Sequence, residues 1–169
     1  MKLIGFSEFP CIAYGRVFYI SREAKLAVDK LLKPSPFQAL TAILAALMNK
    51  EKEALFLAVR ICRQFGILPK GDYTGPDGTV SRDEMSSLWA SREIDRLSVH
   101  VLEDSPIGIQ SCQGACQLLQ ELGFEIELHL WGIAKASTKV KALRDCGATI
   151  FDRTDDAIQF LLSTFDEQR

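Results

Sequence analysis

Two adjacent carboxylates, Glu103 and Asp104, are the side chains with the clearest chemical potential in this sequence. They follow a β-rich run at residues 98–102 and precede Ser105 and Pro106, residue types that begin a helix. The carboxyl end of a parallel strand is where open α/β sheets bind ligands. Carboxylate oxygens suit Mg²⁺ beside a substrate phosphate, and the N–H groups at the start of a helix favour an anion. In the alternative interpretation, Asp104 only caps the helix and Glu103 is solvated.

Lys33 is the second candidate, because prolines follow it at positions 34 and 36. Such a segment, ahead of a helix that Ser35 and Pro36 can begin, could present a fixed ammonium group to a phosphate. The alternative is a solvated loop lysine, the usual situation for this residue type. Lys33 alone does not decide between the two interpretations.

The second half of the chain predicts the elements that would position the carboxylates. Strands are predicted at residues 98–102, 125–131 and 149–151, and helices at 106–122, 137–146 and from 154 onward. Strands that alternate with helices through short loops are typical of parallel βαβ units. This half therefore predicts an α/β fold.

The first half predicts mostly helices. Residues 17–20 form a β-branched and aromatic run that predicts a buried strand, and residues 22–32 have helical spacing. Further helices are predicted from residue 35 to 47, from 53 to 65 and from 81 to about 94, with a turn-rich surface loop at residues 69–78.

Composition excludes several classes of protein. The 169 residues are 47% hydrophobic and 25% charged, with a net charge of −2, which predicts one domain with an ordinary core and no nucleic-acid surface. No apolar run reaches the roughly 20 residues of a membrane helix. Five cysteines, an odd number, do not indicate a disulfide framework. We therefore expect a cytoplasmic protein with no nucleic-acid or membrane partner.

Two segments resemble motifs of the haloacid-dehalogenase-like phosphohydrolases. Residues 33–40, KPSPFQAL, resemble the third motif, and residues 101–109, VLEDSPIGI, resemble the fourth. The resemblance extends over about residues 17–162. It implies a single domain over residues 1–169, built as a three-layer Rossmann-like parallel sheet flanked by helices.

The resemblance also implies roles for four residues. Asp104, with Glu103 beside it, would hold Mg²⁺, and Lys33 would neutralise the phosphoryl group. Ser21, at the end of the predicted strand 17–20, looks like the second-motif hydroxyl that hydrogen-bonds the phosphoryl oxygens. The implied ligand is a small phosphorylated molecule.

The family's nucleophile motif, Asp-x-Asp, has no counterpart in the sequence. The apolar run 3–9 offers Ser7 and Phe9 at the two aspartate positions, and neither does the work of a carboxylate. Residues 77–80 are similar to the end of the motif, but Gly75 stands where the nucleophile belongs. We therefore expect a domain that keeps the Mg²⁺- and phosphate-contacting residues and is catalytically inactive or incomplete. The alternatives are a Mg²⁺-dependent phosphatase or phosphotransferase whose nucleophile comes from another segment, and a protein-interaction domain.

Residues 49–97 predict a helical and loop insertion between the third and fourth motifs. It would cover the site, contact a partner or simply pack on the sheet. A sheet without the nucleophile strand would have an unpaired edge, which favours either a homo-oligomer or a rearrangement of the sheet.

Two further pairs of residues predict structural roles. Cys112 and Cys116 have the spacing of a metal pair, but without other ligands nearby they predict buried small residues. His100 and His129 alternate with apolar neighbours on strands, which predicts structural histidines.

Overall fold

A computed structural model describes residues 11–70, 78–88 and 96–166 of the chain, with seven α-helices and three strands in these ranges. The helices are α1 (Tyr14–Glu23), α2 (Phe37–Met48), α3 (Glu51–Gln64), α4 (Arg82–Leu88), α5 (Pro106–Glu121), α6 (Ser137–Asp145) and α7 (Thr154–Asp166). The strands are β1 (Arg96–Glu103), β2 (Glu125–Ile133) and β3 (Thr149–Phe151). One turn of 3₁₀ helix lies at Val28–Lys30. The predicted α/β class is confirmed, and the arrangement is compatible with a Rossmann-like fold.

The three strands form a parallel sheet in the order β1-β2-β3. Helix α5 connects β1 to β2, and α6 connects β2 to β3, so the predicted βαβ units are confirmed. Glu103 pairs in register with Gly132, which places the end of β1 beside the end of β2. β1 lies at one edge of this sheet, and no described strand pairs with its outer side.

The two faces of the sheet differ in chemistry. One face is apolar and carries Leu97, Val99, Ile126 and Leu130. The first three contribute to the large hydrophobic core, and Leu130 packs with residues of α5 and α6 in a smaller cluster. Because side chains alternate along a strand, His100, His129 and Trp131 lie on the other face. Helix α7 packs there through Phe160, whose ring makes an edge contact with Trp131 at 6.1 Å between centroids.

The helical half supplies most of the core. α2 and α3 are separated by Asn49 and Lys50, and Asn49 ends α2 in the left-handed conformation with φ 52°. Side chains of α2, α3 and α5 that are less than 2% exposed form the centre of this core: Phe37, Leu40, Leu44, Leu55, Ile61 and Leu119. The helices predicted at residues 35–47 and 53–65 are confirmed as α2 and α3.

The strand predicted at residues 17–20 is wrong, because these residues lie within α1. Val17, Ile20 and Ala24 are buried at helical spacing, whereas Phe18 is 46% exposed. A run of four apolar residues fits either element, and only packing decides between them. The helix predicted at residues 22–32 is also wrong: α1 ends at Glu23, and Lys25 has φ 50° before the 3₁₀ turn.

Other predictions lie partly outside the described residues. The helix predicted over residues 81–94 is observed as α4 up to residue 88, and residues 89–95 are not described. The run 3–9 and positions 75 and 77 are likewise not described. None of the described helices is long and apolar enough to cross a membrane.

Candidate functional site

The candidate site begins where β1 ends and α5 starts. Ser105 is the N-cap of α5: its backbone is extended, and its hydroxyl accepts a hydrogen bond from the Gly108 N–H at 3.2 Å. Pro106 follows in the first turn, where its missing N–H costs nothing. Ser105 rather than Asp104 therefore caps the helix. This leaves the Asp104 side chain 69% exposed and open to other partners.

Glu103 forms an ion pair with Lys33, a residue 70 positions earlier in the chain. Its side chain is 17% exposed, and the Ser105 hydroxyl also donates to Glu103 Oε2 at 3.4 Å. A Cβ atom at Gly108 would lie 2.2 Å from this carboxyl group. The glycine therefore provides the space in which the Glu103 carboxylate lies against the first turn of α5.

Helix α5 also holds the segment that carries Lys33. The buried Ser111 hydroxyl donates a hydrogen bond to the Ser35 carbonyl at 2.7 Å. One turn further on, a Cβ atom at Gly114 would lie 3.3 Å from Pro36 Cβ. The same helix thus positions both partners of the Lys33–Glu103 pair.

Asp104 is paired with Lys139 of α6, with 2.8 Å between Lys139 Nζ and Asp104 Oδ2. The Lys139 ammonium, and to a smaller extent Lys33, lower the pKa of the Asp104 carboxyl group below its ordinary value. Lys139 is a site residue that lies outside the sequence motifs. The signal was its place in the first turn of the helix that follows β2, because the carboxyl ends of neighbouring parallel strands share one edge of the sheet.

The carboxylates fit Mg²⁺ only in part. Glu103 and Asp104 supply the hard oxygen ligands that Mg²⁺ prefers, but each is engaged by a lysine. Within the described ranges, no group of three or more His, Cys, Asp or Glu side chains is placed to hold a metal. A bound Mg²⁺ would therefore need water and ligand phosphate to complete its coordination, as is usual for this ion.

Ser21 has a different environment from the one that the sequence predicts. It lies in α1 with 7% of its surface exposed, and its hydroxyl donates to the Leu26 carbonyl at 2.8 Å. Among the described residues, no hydrogen bond or ion pair links it to Lys33, Glu103 or Asp104. The structure thus brings together three of the four predicted site residues and does not join Ser21 to them.

The pairs Cys112–Cys116 and His100–His129 lie in environments that fit a structural role. Burial raises the pKa of the Cys116 thiol to about 11 and also raises the pKa of Cys112. The His100 and His129 rings stack at 4.5 Å between centroids on the sheet face that α7 covers in part, and Ser98 Oγ lies 2.9 Å from His100 Nε2.

Comparison with protein-family models, with curated proteins and with solved structures gives no match to this chain. The chemistry of the site follows from its own groups: two carboxylates, two lysines and the start of α5, at one edge of a parallel sheet.

Proposed function

We propose that this chain is a haloacid-dehalogenase-like domain that binds a small phosphorylated molecule together with Mg²⁺ at the carboxyl end of β1, without turning it over. The observation that carries the proposal is the ion pair between Lys33 and Glu103. It joins the two segments that resemble the third and fourth motifs of this family, although 70 residues separate them.

Each charged group has a role in the proposed complex. Lys33 and Lys139 would bind the phosphoryl oxygens, with support from the N–H groups at the start of α5. Glu103 and Asp104 would bind Mg²⁺ through their carboxylates. The two ion pairs seen in the free protein must open for this to happen.

This exchange of partners makes the cation and the anion depend on each other. An anion that takes the lysines leaves two carboxylates without partners, and Mg²⁺ then neutralises them. Likewise, Mg²⁺ on the carboxylates releases two ammonium groups for the phosphate. We therefore expect Mg²⁺ and phosphate to bind more tightly together than either does alone.

Turnover is not expected, because the sequence has no counterpart of the Asp-x-Asp nucleophile motif. Ser7 and Phe9 stand where the family pattern has its two aspartates. The aspartyl route to phosphoryl transfer needs a carboxylate to attack phosphorus, and a metal and a lysine do not replace it.

We assign residues 49–97 as an insertion between the two motif segments. In its described part, Leu55, Ile61 and Met85 are fully or almost fully buried in the same core as α2. This part therefore packs into the same helical core as α2.

The test is a thermal unfolding series with Mg²⁺, with inorganic phosphate and with both. We expect the combination to raise the melting temperature by more than the sum of the separate shifts, because ligands that bind only the native state add to its stability. Asp104→Asn and Lys33→Gln should each remove the excess. Asp145→Asn, an exposed acid at the end of α6, is the matched control.

Two results would overturn parts of the proposal. Mg²⁺-dependent hydrolysis of a phosphomonoester that is lost in Asp104→Asn would show an active phosphatase. No response to either ion would remove the binding function and favour a protein-interaction domain.

A further inference from the structure

Two helices of the structure carry large apolar side chains that face away from the core. They are Tyr14 and Phe18 on α1 and Ile158 and Leu162 on α7, and each is between 42% and 60% exposed. Apolar side chains that are exposed side by side, unlike scattered ones, mark contacts with other molecules. None of the four belongs to the candidate site at β1, and the proposed function makes no use of them.

On α1, the exposed side chains form a stripe that ends in a positive charge. Tyr14, Phe18 and Arg22 follow one another at four-residue spacing, which places them along one side of the helix. The Tyr14 and Phe18 rings stack at 6.5 Å between centroids. Arg22 is exposed, and so is Lys25 just beyond the helix, with Glu23 as the one acid between them. This α1 stripe, formed by Tyr14, Phe18 and Arg22, is therefore aromatic with a basic end.

A groove beside the α1 stripe leaves room for the side chains of another helix. It has a volume of about 390 Å³ and is lined by Gly15, Phe18, Tyr19, Arg22 and Glu23. A Cβ atom at Gly15 would meet nothing within 4 Å, so the backbone of α1 is open to close approach there. Aliphatic side chains that lie along one side of a second helix fit such a groove.

On α7, the exposed side chains lie on a side of the helix that does not contact the sheet. Asp155, Ile158 and Leu162 are three and four residues apart and form the α7 stripe. The helix contacts the sheet through Phe160, which lies against Trp131 on another side of the helix. The α7 stripe is therefore aliphatic, and it begins at an aspartate.

The segment at the start of α7 is acidic as a whole. Asp155 pairs with Arg153, with 2.9 Å between Asp155 Oδ2 and Arg153 Nη2. Both side chains are exposed, so the pair contributes little to stability. Asp152 and Asp156 are also exposed, so the segment holds three carboxylates and one guanidinium group. The α7 stripe thus begins with an excess of negative charge, whereas the α1 stripe ends with an excess of positive charge.

We propose that the α1 stripe of one molecule packs antiparallel against the α7 stripe of a second copy of the chain. Phe18 then lies against Ile158 of the second copy. One turn further along, Tyr14 lies against Leu162 of the second copy. Arg22, at the opposite end, lies beside the acidic start of α7. The aromatic and aliphatic side chains supply binding energy as they leave water, and the opposite charges set the direction of the helices.

The two stripes fit each other better than either fits itself. Two α7 stripes packed antiparallel would bring the acidic start of one helix near the end of the other, where Asp166 adds a further acid. Two α1 stripes would give Arg22 no acidic surface to contact. Because the contact joins two different surfaces, each molecule can bind two others, and the copies form a ring or an open chain. One pair of helices is a small interface, so the association is weak and depends on protein concentration.

The test measures the mass of the full chain by analytical ultracentrifugation over a range of concentrations, at which the unchanged protein should associate reversibly. Phe18→Gln and Leu162→Gln each remove one exposed apolar side chain from a stripe. Each should weaken self-association about tenfold, the loss expected when one large apolar side chain no longer leaves water. Ile67→Gln is the matched control, because Ile67 is 43% exposed but lies outside both stripes. It should associate as the unchanged protein does.

Mixing the two variants separates contact between different surfaces from contact between like surfaces. Phe18→Gln retains the α7 stripe, and Leu162→Gln retains the α1 stripe. An equimolar mixture should therefore form a dimer with one copy of each variant and grow no further. Arg22→Gln should weaken the association of the otherwise unchanged protein about threefold, the size of an exposed ion pair.

Three results would overturn the proposal. The unchanged protein could stay monomeric at every concentration, or the mixture of the two variants could stay monomeric. Either variant alone could also associate as the unchanged protein does, which would place the interface elsewhere, such as the outer edge of β1. None of these changes touches the candidate site, so loss of the Mg²⁺ and phosphate effects contradicts only the proposed function.

Discussion

Gly108 determines where the Glu103 carboxylate can lie. With glycine at position 108, the Glu103 carboxylate has room to reach Lys33. A methyl group at this position would overlap the carboxylate and force the Glu103 side chain to move. The sequence carries this requirement as the short spacing between the acid and the glycine. What the spacing does not show is that the carboxylate itself fills the space.

Gly108→Ala should have opposite effects in two backgrounds. In the unchanged protein it should reduce the free energy of unfolding, because the new Cβ overlaps the Glu103 carboxyl group. With Glu103→Ala the same change should stabilise by about 0.5–1 kcal/mol, because alanine is a better helix former than glycine. Urea unfolding of the four proteins measures both effects. A loss of equal size in both backgrounds would show that Glu103 is not the obstacle.

His100 should make the protein less stable in mild acid. Burial, followed by the charge of His129, lowers the pKa of His100 in the native state, while Glu127 acts in the opposite direction. The unfolded chain then binds the proton more readily than the native one, so the contribution is present above the unfolded pKa of about 6.5 and is lost as the pH falls below it.

His100→Gln measures this effect. The free energy of unfolding of the unchanged protein should fall more steeply between pH 7.5 and 5.5, values chosen to span about one unit on either side of the unfolded pKa, than that of the variant. Parallel curves for the two proteins would show that His100 titrates in the native state as it does in the unfolded chain.

Helices and strands could be predicted from the sequence where their ends carry local signals such as capping residues. Ser105 with Pro106 and Ser35 with Pro36 mark the starts of α5 and α2, and both helices are observed there. Residues 17–20 carry no such signal, and their apolar run was compatible with a strand until the packing of α1 was known. Local capping is encoded in neighbouring residues, whereas burial depends on the rest of the molecule.

The same distinction applies to the site. Lys33, Glu103 and Asp104 could be found because each lies in a recognisable local pattern. Lys139 carried only a general signal, its place in the first turn of the helix after β2, and its pairing with Asp104 is seen only in the folded chain. The role of Ser111 could not be found, because it arises only when α5 packs against the Ser35 segment. Ser21 was misplaced because its role depended on an incorrectly predicted strand.

Gly132 on β2 should tolerate no side chain, because Ile150 of β3 and Leu143 of α6 lie directly against it. A Cβ atom there would lie 2.9 Å from Ile150 Cδ1 and 3.1 Å from Leu143 Cδ1. Gly132→Ala should therefore cost about 1–3 kcal/mol of stability, as is typical of overpacking. Combination with Ile150→Val, which removes the nearest atom, should recover part of the loss in chemical unfolding.

Gly15→Ala is the matched control for this experiment. It lies in α1, and a Cβ atom there meets nothing within 4 Å. We expect it to be neutral or slightly stabilising. A similar loss at both glycines would contradict the explanation by contact with Ile150 and Leu143.

At the scale of the whole molecule, the large core joins the two halves of the chain. Leu119, Leu122 and Phe124 from the α/β half lie in the same buried cluster as the helices of the first half. A second, smaller cluster lies between the sheet, α5 and α6. α5 contributes to both clusters, so we expect the described halves to unfold together.

Cysteine labelling reports on this cooperative behaviour. Burial raises the pKa of the Cys62 thiol to about 12 and that of Cys116 to about 11, so neither is a reactive thiolate near neutral pH. Cys11 is exposed and should be labelled first by iodoacetamide under native conditions. Cys62 and Cys116 should become reactive together as denaturant is added. Mass spectrometry of the labelled protein measures the extent of labelling at each cysteine.

Cys11→Ser, which should remove the fast phase and leave the others unchanged, is the control. Labelling of Cys62 well before Cys116 would show that the helical half opens independently of the sheet.

The hydrogen bond from Ser111 to Ser35 spans 76 residues, and the Lys33–Glu103 pair spans 70. Closing loops of this length costs chain entropy, so we expect these contacts to form after the local helix pair and the βαβ units have gained structure. On this expectation the candidate site is one of the last parts of the molecule to be assembled on folding. A ligand that binds there would act on the completed structure, and would lengthen the lifetime of the native state rather than speed its formation.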